Sequence, residues 1–87
     1  MVLFFLPANN TNRVGFTATK KIGNAVTRNR AKRRLRALFL EYSPSLRDGT
    51  YIFVAKQLIN EISHENLKKD FTKVLNRAKA IKKELYV

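Results

Sequence analysis

The sequence predicts a single small α+β domain, in which a sheet of three strands is packed by a basic helix and by a long C-terminal helix. Three observations predict it. A chain of 87 residues is too short for more than one domain. Its hydrophobic fraction of 45% lies within the ordinary globular range, so a core can form despite the charge. The hydrophobic period also changes along the chain, between two-residue alternation and helical spacing.

VLFFL (Val2 to Leu6) is dense in β-branched and aromatic residues and stops at Pro7, which supplies no ladder donor, so it is the first strand. PANNTN has the composition of a hairpin connection. RVGFTAT (Arg13 to Thr19) then alternates, with Val14, Phe16 and Ala18 on one face, which predicts a second strand antiparallel to the first. Gly23-Asn24 breaks the alternation, and helical spacing runs from there to about Tyr42. SPSLRDG ends that helix, with Pro44 and Gly49 as its punctuation. TYIFVAK (Thr50 to Lys56), a run of β-formers, predicts a third and well-buried strand, and the intervening helix allows it to lie parallel to the second. After a short linker, Ser63 is placed to cap a long helix. Its Leu67, Phe71, Val74, Leu75, Ala78 and Ile81 fall on one stripe that covers the sheet.

Zero cysteines exclude a disulfide framework and thiolate zinc sites, and a single histidine, His64, cannot replace them, so no structural metal is expected. The apolar run after Met1 ends at Pro7, far short of the ~20 residues a membrane span needs. The start also lacks the basic opening and the long apolar region of a signal peptide. No membrane partner is expected, and cytoplasmic residence is the default.

The formal net charge is +12, and its placement matters more than its size. Residues 1–40 hold nine Lys and Arg and no Asp or Glu. The remaining residues hold nine basic and six acidic side chains, leaving +3 there against +9 in the first part. Such a focused field calls for a polyanionic partner. At 100° per residue, Ala31, Leu35, Leu38, Phe39 and Tyr42 occupy an arc of roughly 100°, while Arg30, Lys32, Arg33, Arg34 and Arg36 take roughly 200° on the other side. All five cations are therefore expected to project from a helix docked by its apolar face. Neighbours of like sign at i and i+4 repel. The bias toward Arg fits bidentate contact with phosphate and stacking on unpaired bases.

A purely solvated charged face and a membrane-surface or calmodulin-type amphipathic helix are the bland rivals. The second would need an apolar stripe that this domain uses for its own core. Sequence-specific DNA readout would want Asn and Gln among the cations, and only Asn29 is available. Single-stranded nucleic acid suits a basic helix beside a sheet bearing aromatics, here Phe4, Phe5, Phe16, Tyr51 and Phe53, most of which a small core must claim. Intrinsic nuclease chemistry is not expected. His64 stands alone at a helix start, and of the acids only Glu61 and Glu65 are close in sequence.

The stretch KKIGNAVTRNRAKRRLR, Lys20 to Arg36, closely resembles the signature of the bacterial ribonuclease P protein subunit. The resemblance extends through RVGFTATKK, DGTYIFVAK and the capped final helix. It implies an α-β sandwich with a sheet of three to four strands and a left-handed βαβ crossover, where general rules favour the right-handed form. It also implies a protein that serves a large catalytic RNA, the two together cutting precursor tRNA to expose its mature 5′ end. The RNA performs the chemistry, so no catalytic residue is expected in this chain. Arg28, Asn29, Arg30, Lys32, Arg33 and Arg36 would contact the catalytic RNA. A cleft between sheet and helices would grip the 5′ leader through Phe4, Phe16, Lys20, Lys21 and Lys56, with Phe4 the aromatic in the open. The protein itself would hold no cofactor, and magnesium would accompany the RNA of the holoenzyme.

Members of the family usually carry a basic arm and a short helix with two Phe residues upstream of the strand that here starts at Met1. Their absence implies either a start at an internal Met or a natural short form, with a leader cleft lacking one wall. The competing reading is a small ribosomal or RNA-chaperone protein that neutralises folded RNA and takes no part in processing.

Overall fold

Strands form where β-branched and aromatic residues cluster. In a computed structural model, which describes residues 1–82, they are β1 (Val2–Pro7), β2 (Asn12–Ala18) and β3 (Gly49–Ala55). Helix α1 (Ala25–Tyr42) connects β2 to β3, and α2 (His64–Arg77) follows β3. Both helices start at a side-chain cap, which satisfies amides that the first turn leaves open. The Asn24 side-chain oxygen accepts from the Thr27 N–H at 3.0 Å and from the Thr27 hydroxyl at 2.9 Å. The Ser63 hydroxyl accepts from the Asn66 N–H at 3.2 Å.

The sheet order is β1-β3-β2, with β1 antiparallel and β2 parallel to β3. The parallel pairing expected of the second and third strands is present, but the hairpin expected of the first two is not, because β3 lies between them. The reason is burial. On β3, Tyr51, Phe53 and Ala55 are at most 2% exposed, so this strand gains most from neighbours on both sides. Pro7 and the exposed Asn12 and Arg13 suit edges. Residues 8–11 bridge the end of β3, where Pro7 and Asn12 both register with Gly49. The Ala8 N–H donates to the Asp48 carbonyl at 3.2 Å, and the Gly49 N–H to that of Thr11 at 2.6 Å. Gly49 has φ 157°, and a Cβ there would collide with the Leu6 carbonyl and come within 2.7 Å of the Phe5 ring.

Among the described residues, helices cover one face of the sheet only. Ala31, Leu35 and Leu38 of α1 and Leu67, Phe71 and Leu75 of α2 are fully or almost fully buried there. Phe53 is the hub, stacked on Phe71 at 4.9 Å and on Phe16 at 5.7 Å between ring centroids, with Phe39 edge-on at 5.8 Å. On the opposite face Phe4, Leu6 and Ile52 are 60%, 68% and 41% exposed.

The final helix is shorter than the stripe predicted. It ends at Arg77, Lys79 turns the chain with φ 57°, and Ile81 instead forms an antiparallel bridge with Leu46. The linker before α2 also holds an unforeseen 3-10 turn, Ile59–Glu61, whose Ile59 is buried.

Replacing Leu35 by Ala should cost about 2 to 5 kcal/mol in denaturant unfolding, since the site is fully buried. Burial pushes the Tyr51 hydroxyl up to about 12, with Arg47 opposing and Asp48 reinforcing the rise. This hydroxyl donates to the Arg47 carbonyl at 2.5 Å. A folded value above the ordinary 10 leaves its contribution intact below pH 10 and removes it as pH climbs toward 12. Alkaline unfolding scans should therefore show a steeper loss between pH 10 and 12 in the wild type than in Tyr51→Phe.

Candidate nucleic-acid interface

The buried stripe of α1 fixes the helix about its axis, and this decides where its cations point. Arg28, Lys32 and Arg36 recur at i+4 and form a ridge along the flank nearest β2. The Arg36 guanidinium lies 5.4 Å from the Phe16 ring centroid, a cation–π contact that holds its head over the edge strand. Asn29, Arg30 and Arg33 lie further round and are exposed, as is Arg36, while Arg28 and Lys32 are half-buried. The six residues expected to meet the catalytic RNA thus share one continuous surface over the first three turns of α1.

That surface carries no internal countercharge. Among the described residues the one ion pair is Lys68 with Glu41, at 2.9 Å between α2 and α1. The side chains of Arg28, Arg30, Lys32 and Arg33 make no hydrogen bond or ion pair with any described residue. Among the described residues, the Arg36 guanidinium has the face of Phe16 as its partner and no hydrogen bond or ion pair.

Arg34 is the exception and corrects the expectation that all five cations project. Its guanidinium donates to the carbonyls of Ile59 and Ile62 at 2.5 and 2.7 Å. The Asn60 side-chain nitrogen donates to the Thr27 carbonyl at 3.0 Å, so the linker after β3 is stitched to α1 at three points. A hint was present in the sequence. Arg34 borders the apolar arc on the side away from β2, and the linker contains Ile59 and Ile62, two apolar residues that draw it against the core.

Of the residues expected at the leader, Lys20, Lys21 and Lys56 come together at the C-terminal ends of β2 and β3. With Thr19 and Gln57 they line a cavity of about 490 Å³. Phe4 stands in the open on the uncovered sheet face, as expected. Phe16 does not join it. Strand parity separates them, since Phe4 registers with Ile52 on the open face and Phe16 with Phe53 on the helix face. There Phe16 packs on Phe53 and Phe39 and supports Arg36.

A model of the ribonuclease P family matches residues 1–79. The chain belongs to that family. It is 46% identical over 78 residues to the ribonuclease P protein component of Nitratiruptor sp., which covers 90% of this chain and 71% of the relative. It is 36% identical over 87 residues to the component from Natranaerobius thermophilus, covering 98% and 76%. The fold is similar to that of the RNase P protein of Staphylococcus aureus, with TM-scores of 0.77 and 0.70 in two structures at 24% and 28% identity. The first covers 92% of this chain and 75% of its own, the second 93% and 71%. The protein is therefore a component of ribonuclease P, a tRNA-processing ribonuclease complex with an RNA partner. This decides against the ribosomal or chaperone reading.

Arg34→Ala should lower unfolding stability by about 1 to 3 kcal/mol, because a charged donor to two carbonyls is lost. Arg30→Ala should stay within about 0.5 kcal/mol of wild type in the same melts, as an unengaged surface position does.

Proposed function

We propose that the chain binds the catalytic RNA of ribonuclease P through α1 and guides the 5′ leader of precursor tRNA over the open sheet face, while the RNA, with magnesium, performs the hydrolysis. The observation that supports this most strongly is the set of exposed cations on α1 without an internal partner. Like charges held within seven residues repel at a few tenths of a kcal/mol per pair, and phosphates offset that repulsion while releasing counterions. The buried stripe fixes the helix that carries the cations, so binding has to order their side chains but not the backbone.

Arg28, Asn29, Arg30, Lys32, Arg33 and Arg36 take the catalytic RNA in this reading. Lys20, Lys21 and Lys56 take leader phosphates at the end of the sheet. Phe4, with its ring exposed beside Ile52, offers a platform for an unpaired base. Phe16 acts indirectly, by supporting Arg36 from below.

Adding the protein to the catalytic RNA at low magnesium should restore tRNA 5′-end cleavage, and protein alone should cut nothing. Cleavage by the protein without RNA would refute the division of labour. Arg33→Ala should weaken binding to the catalytic RNA and reduce the slope of log affinity against log salt by about 0.7 to 0.9, while melting like wild type. An unchanged slope would show that Arg33 meets no phosphate.

A further inference from the structure

Gly15 occupies the middle of β2, where glycine is costly. A strand interior loses roughly 0.5 to 1 kcal/mol by having glycine there, through chain entropy and the missing side chain. The usual reasons for bearing that cost are absent. Gly23 and Gly49 have positive φ, and Gly15 does not. A Cβ built on Gly15 would meet no atom within 4 Å, so neither crowding nor backbone geometry demands glycine.

The register places Gly15 beside Ile52, which pairs in turn with Phe4, so the three form one row across the open face. Two of the three present exposed apolar side chains, and the third leaves a bare stretch of peptide on an edge strand. Arg13, two residues earlier and of the same strand parity, is exposed and makes no hydrogen bond or ion pair with any described residue. A flat apolar floor with a free guanidinium at its margin matches the two halves of a nucleotide, a planar base and a phosphate.

We infer that Gly15 is the floor of a nucleotide slot, in which an unpaired base of the leader lies flat on the β2 backbone against Ile52 and its phosphate meets Arg13. This rests on the proposal that the leader crosses the open face, and it adds two residues, Gly15 and Arg13, that confer preference for single-stranded RNA. The absent side chain is the specificity device. Any Cβ branch would hold a ring away from the peptide plane without disturbing the core on the other side.

The test is a comparison of precursor and mature tRNA affinity by the reconstituted holoenzyme. Gly15→Val should melt at or above the wild-type temperature and bind the catalytic RNA normally, yet lose about five- to tenfold in affinity for precursor tRNA and none for mature tRNA. Gly15→Ala should show a smaller loss of the same kind, and Arg13→Gln a loss that shrinks as salt rises. Wild-type precursor affinity in Gly15→Val, with Phe4→Ala still impaired, would overturn the slot while sparing the leader path. No effect from Phe4→Ala, Lys20→Ala or Gly15→Val would overturn the leader path itself. A marked drop in the melting temperature of both Gly15 variants would show the glycine to be structural and overturn the inference as well.

Discussion

The packing of Phe53 is the contact on which the architecture turns. Its ring meets an aromatic from three surrounding elements, Phe16 from β2, Phe39 from α1 and Phe71 from α2, with Tyr51 beside it on β3. Because a strand sends successive side chains to opposite faces, gathering every aromatic partner on the Phe53 side commits both helices to that side. The other face is left bare by the same choice. A core and an open platform are thus two results of one parity, and the basic helix is held at the rim between them.

The charge on α1 is tolerable because helix position and helix charge are secured by different residues. Ala31, Leu35 and Leu38 supply the buried docking face, and among the cations Arg34 and Arg36 add contacts of their own, on two linker carbonyls and on the Phe16 ring. One guanidinium in the run is spent on backbone carbonyls of the linker, and so it fixes the chain that follows Lys56. A basic run is therefore not one functional unit. Its members divide between holding the protein together and facing outward, and the division follows their angle around the helix.

Much of this was legible in the sequence. Both helices, the cap at Ser63, a buried third strand and the exposed cations follow from periodicity and composition, although the strand buries only its Tyr51, Phe53 and Ala55 side and leaves Ile52 in the open. The exposure of Phe4 came from family resemblance. What was not legible is long-range. No local signal shows that β3 inserts between two strands joined by a short, turn-rich loop, since strand order depends on which strand gains most from burial on both sides. Phe4 and Phe16 are alike in sequence as strand aromatics, and only the register with Ile52 and Phe53 sorts them to opposite faces. The role of Arg34 depended likewise on where the linker runs. The stripe through Ile81 overshot because Lys79 turns left-handed, a step for which no glycine gave warning.

The strand order also has a bearing on biosynthesis. Among the described residues each outer strand takes its ladder bonds from the middle one, and the middle one is the last of the three to be made. Translation at about 5 to 20 residues per second separates the end of the second strand from the start of the third by roughly 2 to 6 seconds, and the arginine-rich helix, lying between them in sequence, emerges ahead of the third strand. Two unpaired edges and a cationic rod are thus exposed together on the nascent chain until Gly49 to Ala55 arrives to close the ladder between them.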